Sequence, residues 1–281
     1  MSGGVEAAAV REIVARALAE DLAGYGDITG RAFAGAPARA RLEARQDGVL
    51  SGSAAVVETA RQVDPRLEVV LARSDGDAFA AGDRLAELAG DAAAILAVER
   101  TALNFVSRLS GVATLTAAFV AETAGSGARI AGTRKTTPGL RLLEKQAIVH
   151  GGGAAHRFGL FDAAMIKDNH VFAAGGVAAA VARVCAGAAH LHGLEVEVDT
   201  LEQLDEALAA GVTAVLLDNM DLETVRRAVV LVDGRATIEV SGGVGIDDVR
   251  GLASAGVDVI SVGALTTRAP WIDLSLVMLE G

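Results

Sequence analysis

The pattern of apolar and polar residues changes near residue 125, which indicates two differently built parts of the chain. Residues 10–22 carry apolar side chains at helical spacing, and the apolar stretch over 92–122 also predicts a helix. Between these helices, residues 38–90 contain short apolar runs that Asp-Gly and Gly-Asp pairs separate. Runs bounded in this way predict short strands. The first part is therefore expected to combine helices with a sheet.

The second part repeats a strand followed by a helix. Strands are expected at 129–133, 163–167, 194–198, 213–217, 236–240 and 258–262, with helices near 139–150, 175–188, 201–210, 221–232 and 246–255. Such repetition is typical of a parallel sheet, either open and doubly wound or closed into a barrel. No Gly-x-Gly-x-x-Gly run follows the first of these strands, which argues against a dinucleotide-binding fold.

Polar residues at the strand ends favour the barrel. In β/α barrels the carboxyl ends of the strands carry the active site, and the last loops commonly bind a phosphate. The six predicted strands carry or end in Arg134-Lys135, Lys167-Asp168, Glu195 with Glu197 and Asp199, Asp218-Asn219, Ser241-Gly242-Gly243, and Gly263-Ala264. The three acids of the third strand alternate and so share one face. A barrel with a functional site at this edge is expected.

Composition limits the classes of function. The net charge is -11, which argues against a general nucleic-acid-binding protein. No uninterrupted apolar run reaches the roughly 20 residues of a membrane span, so no membrane partner is expected. The amino-terminal residues lack a basic start and an apolar core, so no secretory signal is expected. The single Cys185, which we interpret as a small core residue, fits a reducing cytoplasm.

Positive charge is concentrated in one segment of this acidic chain. All three lysines (135, 145 and 167) lie within residues 133–170, which hold six Lys or Arg against three acids. A local charge of +3 suits a small anionic ligand better than a polymer, although a solvated basic helix face would give the same count. Lys145, beside Glu144, is interpreted equally as a surface or interface charge or as a ligand contact.

The residues after the first of these strands predict an anion site. Thr137 and Pro138 are typical of an N-cap and a first helical position, and a helix start binds anions through its free N–H groups. Arg134 and Lys135 precede this predicted helix start. His156 and Arg157, together with Lys167, form a second group of donors, and an Arg can hold a carboxylate through two bonds. This group would suit a ligand with two carboxylates.

Two further patterns leave alternatives open. Glu197 and Asp218 could hold Mg²⁺, bond sugar hydroxyls or stabilise a carbocation, and their spacing does not separate these roles. The small residues of Ser241-Gly242-Gly243 and Gly263-Ala264 would let backbone N–H groups approach a phosphate closely.

Several of these motifs, taken together, resemble the quinolinate phosphoribosyltransferase family. The matching runs are Glu20-Asp21, 26–29, 99–105, 109–111, 133–141, Glu144-Lys145, 151–153, 156–160, 166–170, 195–199, 217–219, 239–243 and 260–265. The run over 133–170 is the most specific part of this resemblance. Two residues depart from the family pattern: Ala155 stands where Asn usually precedes His-Arg, and Gln146 stands where an aromatic residue usually follows Glu-Lys.

The resemblance implies an α/β fold of two domains. An amino-terminal α/β sandwich would cover 1–112, joined by the carboxyl-terminal tail 268–281, and an incomplete (open) β/α barrel would cover 113–267. It also implies an enzyme that converts quinolinate and phosphoribosyl pyrophosphate, with Mg²⁺, to nicotinate mononucleotide, pyrophosphate and CO₂. The implied assembly is a homodimer in which Arg100 enters the partner's site.

The resemblance implies a role for each site residue. Arg134, His156, Arg157 and Lys167 would surround the two carboxylates of quinolinate. Lys135, Glu197 and Asp218 would face phosphoribosyl pyrophosphate and its metal, with Thr133 among the substrate-binding residues. Ser241, Gly242, Gly243, Gly263 and Ala264 would hold the 5′-phosphate. Lys135, Lys167, Glu197 and Asp218 are the expected catalytic residues.

Two other functions fit the residues less well. A related phosphoribosyltransferase could take another acid, although such relatives depart from the Lys-Asp-Asn-His run that is intact at 167–170. A non-catalytic barrel that senses phosphorylated ligands would not need Glu197, Asp218 and the basic group together.

Overall fold

The structure, a computed structural model, describes residues 2–188 and 192–280. Besides a short 3-10 helix over Gly30–Phe33, its first unit contains α1 (Ser2–Leu22), β1 (Pro37–Ala44), β2 (Gly48–Val49), α2 (Ser53–Val63), β3 (Glu68–Leu71), β4 (Ala78–Phe79), β5 (Arg84–Asp91), most of α3 (Ala92–Ala121), α4 (Arg141–His150) and β12 (Leu274–Leu279). Its second unit contains β6 (Arg129–Ala131), β7 (Ala164–Ile166), α5 (Asp168–Ala174), α6 (Val177–Gly187), β8 (Leu194–Val198), α7 (Leu201–Ala209), β9 (Ala214–Asp218), α8 (Leu222–Val232), β10 (Thr237–Ser241), α9 (Ile246–Ser254), β11 (Val259–Ser261) and α10 (Ala264–Thr267).

The two units are discontinuous in sequence. The first comprises Met1–Ala117, Thr136–Gly152 and Arg268–Gly281, and the second comprises Ala118–Lys135 and Gly153–Thr267. The predicted domains put 136–152 in the barrel, whereas this grouping puts it in the first unit. The reason is close packing between α3 and α4: a Cβ added to Gly151 would lie 2.4 Å from the carbonyl oxygen of Ala113.

The first unit is built on a four-stranded sheet in the order β12-β1-β5-β3, whose strands all pair antiparallel. Alternate residues of β1 are buried, and Leu85, Ala86 and Leu88 of β5 join them in one core with the fully buried Ile95 and Val106 of α3. The short strands predicted over 38–90 are present, but α2 was not predicted. This segment is helical because Ala55, Val56 and Thr59 fall on one face and are buried there.

The second unit is a six-stranded parallel sheet in the order β6-β11-β10-β9-β8-β7. Each predicted strand is present within two residues of its expected ends. Over the described residues, no ladder joins the outer strands β6 and β7, so the sheet is an open barrel, as expected. The helices α5 and α10, which are too short to show periodicity, were not predicted.

The strands of this sheet alternate between a helix-covered face and a face that carries the polar residues. Val196, Val198 and Val215 are fully buried under the helices. On the other face the register aligns Glu197 with Leu216 and Leu216 with Glu239. The period of two in a strand therefore separates the apolar layer from the functional face.

Two side chains lie elsewhere than expected. Cys185 is exposed on α6, so its interpretation as a core residue is wrong. It lies on the outer face of α6, whereas Val177 and Val181 supply the buried face. Lys145 is buried, with 4% of its surface exposed, so the interpretation as a solvated surface charge is also wrong.

One described helix, α3, is long and apolar enough to cross a membrane by length and composition, and 61% of its most apolar window is buried inside the structure. The pair α5 and α6 passes the same test only when counted as one span, and it is bent by 93°. Burial of this kind is what the core helix of a folded unit shows.

Two valines of α8 test the packing of the barrel helices. Val225 is fully buried, whereas Val230 is 79% exposed. We expect Val225→Ala to lower the free energy of unfolding by about 2 kcal/mol, because two buried methyl groups are lost and a cavity remains. Val230→Ala should change it by less than about 0.5 kcal/mol. Urea denaturation of both variants measures the difference, and equal effects would contradict this packing.

Candidate active site

A cavity of about 470 Å³ opens at the carboxyl edge of the parallel sheet. It brings together eleven of the residues predicted for the site: Thr133, Arg134, Lys135, His156, Arg157, Lys167, Glu197, Asp218, Ser241, Gly242 and Gly243. Met165, Leu216, Asn219, Glu239 and Ser261 also line it and were not predicted as site residues. Gly263 lies beside it, since a Cβ there would be 3.3 Å from Cδ of Lys135. Ala264 follows as the first residue of α10, and Arg100 lies exposed on α3 in the first unit.

Two guanidinium groups supply positive charge inside the cavity. Arg157 donates to the carbonyl oxygen of Ala163 at 3.1 Å, which fixes the direction of its side chain. Burial lowers the pKa of Arg157, and the nearby charge of Arg134 lowers it further. The Nε atom of Arg134 is buried without a hydrogen-bond partner in the described structure. Two cations that repel each other and an unused donor provide a binding site for an anion.

Lysine and glutamate form an ion pair at the ends of neighbouring strands. Nζ of Lys167 donates to Oε2 of Glu197, whose side chain is 11% exposed. Lys167 directly follows β7 and precedes the first residue of α5, and its own side chain is 44% exposed. The ammonium group is therefore held at the cavity by a carboxylate while it remains accessible to a ligand.

The loops after β9 and β10 are packed closely enough to require glycine. Gly242 has φ +99°, and a Cβ there would lie 2.3 Å from Oδ1 of Asn219. Asn219 in turn donates from Nδ2 to Oδ2 of Asp218 at 2.8 Å. This arrangement leaves the backbone after β10 bare of side chains, as a phosphate-binding loop needs.

His156 contacts the carboxylates of half-buried Glu195 and buried Glu239, neither of which was predicted as a site residue. Its Nε2 lies 3.5 Å from Oε2 of Glu195 and 3.2 Å from Oε1 of Glu239. Glu195 was noted only as a member of an alternating strand. Glu239 could have been suspected from its position, because it is the single charged residue in the buried run of β10.

The carboxylates perturb the imidazole strongly. Glu195 and Glu239 accept from His156 and raise its pKa to about 9, which favours the imidazolium. Nδ1, however, accepts the amide N–H of Arg157 at 2.7 Å, so Nε2 bears the hydrogen that faces the carboxylates. A second proton on Nδ1 would displace this amide contact. Burial raises the pKa of Glu195 and is the largest influence on it.

The residues present suit a hard divalent cation. Glu197 and Asp218 both line the cavity and supply carboxylate oxygens, the ligand type that Mg²⁺ uses along with waters or substrate phosphates. Each carboxylate makes one bond to a protein side chain, to Lys167 or to Asn219, and retains further acceptor sites. The donor set is therefore compatible with Mg²⁺.

The predicted helix start at Thr137 is wrong. Helix α4 begins at Arg141, and a turn precedes it in which Gly139 has φ +82°. Thr137 does not cap a helix. Its amide and its hydroxyl instead both donate to the buried carboxylate of Glu144, at 2.9 and 2.8 Å. The amide groups here are thus used internally, and the anion site loses this expected contribution. The predicted helix end at Gly151 is confirmed.

The open parallel barrel and the basic cavity at its carboxyl edge define a class of protein: a β/α-barrel enzyme that binds anionic substrates where the strands end.

Comparison with known proteins narrows this class. The chain matches the family model "Quinolinate phosphoribosyl transferase, N-terminal domain" over residues 27–110 and the corresponding "C-terminal domain" over residues 112–277. It is 40% identical over 258 residues to a probable nicotinate-nucleotide pyrophosphorylase (carboxylating) of Bacillus subtilis, covering 92% of this chain and 89% of that protein. A relative of the same description from Methanothermobacter thermautotrophicus is 42% identical over 262 residues, covering 90% and 93%.

A solved structure agrees with these relatives. The nicotinate-nucleotide pyrophosphorylase of Francisella tularensis superposes with a TM-score of 0.94 at 39% identity, covering 97% of each chain. This chain belongs to the quinolinate phosphoribosyltransferase family.

The buried ion pair between Glu144 and Arg108 can be tested against an exposed ion pair elsewhere in the chain. Glu144 is fully buried and accepts from Arg108 at 2.9 Å, and Arg108 is only 14% exposed. We expect Glu144→Ala to lower the free energy of unfolding by about 3–5 kcal/mol, because the guanidinium would lose its carboxylate. The matched control is Glu122→Ala, which removes the same group from an ion pair with exposed Arg250 and should cost less than about 1 kcal/mol. Urea denaturation measures the free energy of unfolding of both variants, and similar decreases would contradict a larger role for the buried ion pair.

Proposed function

We propose that this chain converts quinolinate and phosphoribosyl pyrophosphate to nicotinate mononucleotide, pyrophosphate and CO₂. Family membership and the intact basic cavity support this proposal, and the grouping of Arg134, Arg157, His156 and Lys167 is the observation that carries it. A substrate with two carboxylates on one ring needs several cations arranged around a small volume. These four side chains supply them.

The acid substrate would be held by its two carboxylates. Arg134 has a buried Nε with no partner, and Arg157 is directed into the cavity by its bond to Ala163. Guanidinium groups bind carboxylates through two parallel bonds, which fixes orientation as well as position. Lys167 would add one contact, and His156 would support Arg157 by accepting its amide at Nδ1. Fixing the ring in one plane would set the direction of its nitrogen toward the second substrate, and such alignment supplies much of the rate.

The phosphoribosyl donor would lie along the later strands. Lys135 is exposed beside Gly263, and Thr133 stabilises this turn by accepting the amide of Lys135 at 3.1 Å. The bare backbone at Ser241, Gly242 and Gly243, with Gly263 and Ala264, would accept the 5′-phosphate. Glu197 and Asp218 would hold Mg²⁺, which when bound supplies positive charge to the pyrophosphate leaving group.

The reaction would proceed by displacement at the ribose. The ring nitrogen forms a bond to C1 while the bond from C1 to pyrophosphate breaks, and its electron pair leaves with pyrophosphate. Such a centre develops oxocarbenium character, and the positive charge of Lys135 beside the departing pyrophosphate would assist the cleavage. Loss of the 2-carboxylate then leaves an electron pair on C2 beside the positive ring nitrogen, and C2 takes up one proton. Lys167 and Arg157 are the cations proposed to orient that carboxylate.

A direct assay tests the proposed function. The protein incubated with quinolinate, phosphoribosyl pyrophosphate and Mg²⁺ should form nicotinate mononucleotide, detected by mass, with release of pyrophosphate. Nicotinate in place of quinolinate should give little product, because it lacks the second carboxylate that this group of cations would bind. Preferred use of nicotinate would indicate a related phosphoribosyltransferase, and calorimetric binding without pyrophosphate release would indicate a sensor.

The family resemblance also supports a homodimer in which Arg100 enters the partner's site, and the single Cys185 supports a cytoplasmic location. Arg100 is exposed on α3, as a residue of this role would be in a single chain. Arg100→Ala and Lys167→Ala should each abolish most turnover when expressed alone. When the two variants are co-expressed, a mixed dimer would contain one site with both residues intact, because the two lesions fall in the same other site.

With random pairing, half of the dimers are mixed and half of their sites are intact, so activity should recover to about a quarter of wild type. Steady-state turnover of the co-purified mixture measures it. No recovery above the separate variants would mean that Arg100 acts within its own chain or not at all, and wild-type turnover by Lys167→Ala would exclude the role given to that lysine.

A further inference from the structure

The glutamate in the middle of β10 is an unusual component of a barrel interior. Glu239 is 5% exposed, and its neighbours Ile238 and Val240 are buried on the opposite face. Burying a carboxylate costs several kcal/mol unless a partner compensates it. The nearest donor to its Oε1 is Nε2 of His156 at 3.2 Å, a contact without good hydrogen-bond alignment, and Glu239 lines the cavity of the proposed active site. A residue this costly is expected to have a role there.

The partner of Glu239 is the imidazole of His156. The distance from Oε1 to Nε2 is 3.2 Å, shorter than the 3.5 Å from the same nitrogen to Glu195. The side chain of Glu239 is also the more buried of the two, at 7% exposed against 16% for Glu195. A charge contact is stronger when it is short and removed from water. Glu239 is therefore the nearer and more buried of the two carboxylates that act on this ring, while the hydrogen bond to Glu195 has the larger influence on the pKa of His156.

His156 needs external support for its position. Its φ is +22°, a value that a residue with a side chain adopts at a cost in energy. The backbone around it pairs with β6 through a single bridge between Ala154 and Ala131. The ring itself is held from opposite ends, by the Arg157 amide at Nδ1 and by the carboxylates at Nε2. Loss of one of these contacts would free the ring to turn.

We propose that Glu239 is a positioning residue: it holds the His156 ring, whose Nδ1 accepts the Arg157 amide, and so keeps Arg157 in place for the acid substrate and sets the affinity for quinolinate without contacting it. This inference rests on the proposed function, in which Arg157 binds a carboxylate of quinolinate. Its specific consequence is a division between the substrates. Quinolinate binding should depend on Glu239, whereas phosphoribosyl pyrophosphate binding should not, because its proposed contacts lie at Lys135, Asp218 and the loop after Ser241.

A metal centre is the competing use of the same three side chains. One ligand atom from each of His156, Glu195 and Glu239 can be chosen so that all lie within 4.8 Å of one another. The charges around this cluster favour the positioning role. Arg157 lies close enough to the cluster for Glu195 to raise its pKa, and close enough to Arg134 for that second guanidinium to lower it. A divalent cation placed there would be repelled by both guanidinium groups.

The test is Glu239→Gln, which keeps the size of the side chain and removes its charge. We expect the KM for quinolinate to rise about tenfold or more, the effect of weakening one charge-assisted contact. The KM for phosphoribosyl pyrophosphate should stay within about twofold. Glu239→Asp keeps the charge but places it farther from the His156 ring, because the side chain is one methylene shorter. This variant should recover part of the quinolinate affinity. Glu195→Gln is the matched control and should raise the same KM by less.

The outcomes separate the inference from the proposed function. A wild-type protein that fails to use quinolinate would refute the proposed function. If the wild type is active and Glu239→Gln leaves the quinolinate KM unchanged, or raises both KM values equally, the positioning role is wrong. If Glu239→Gln does not fold, Glu239→Asp must show the same division between the two substrates. Stoichiometric Zn²⁺ binding by the wild type, abolished in Glu239→Gln, would overturn the inference and assign the cluster to a metal.

Discussion

The register of the parallel sheet is the constraint on which the proposed site depends. Glu197 pairs with Leu216, and Leu216 pairs with Glu239, so the two acids lie in one row across three strands. Asp218 and Ser241 form a row nearer the carboxyl edge. Because side chains alternate along a strand, a shift of one residue would turn these polar groups toward the helices and the valines toward the cavity. The apolar layer under the helices prevents this shift and thereby holds the site in place.

Electrostatic balance is the second requirement of this cavity. Arg134, Arg157, Lys135 and Lys167 would repel one another strongly in a small volume without nearby acids. Lys167 is paired with Glu197, and His156 lies against Glu195 and Glu239. Arg134 keeps a buried Nε without a partner in the described structure, and its charge lowers the pKa of Arg157. The site is thus neutralised where the protein supplies acids and remains positive where an anionic substrate would bind.

Local patterns predicted most of the second unit because its elements are short and regular. Each strand is an apolar run with clear ends, and each longer helix has one apolar face. Prediction was weaker where a residue's partner is distant in sequence. Thr137 has the residue type of a helix N-cap, yet Glu144 takes both of its donors and the helix begins at Arg141. Helix α2 was not predicted, because the Asp-Gly pairs on either side of it are the same signals that bound the neighbouring short strands.

Taken alone, the sequence determined the order of strands and helices, the concentration of cations in 133–170, and the family to which these motifs point. Those features depend on residue type and spacing, which are local properties. Only the tertiary structure decided that Glu239 meets His156, that Lys145 is buried and that Cys185 is exposed. These outcomes depend on which faces of distant segments meet. A residue's partner across a sheet is set by register and packing, and its own neighbours in the chain do not encode that partner.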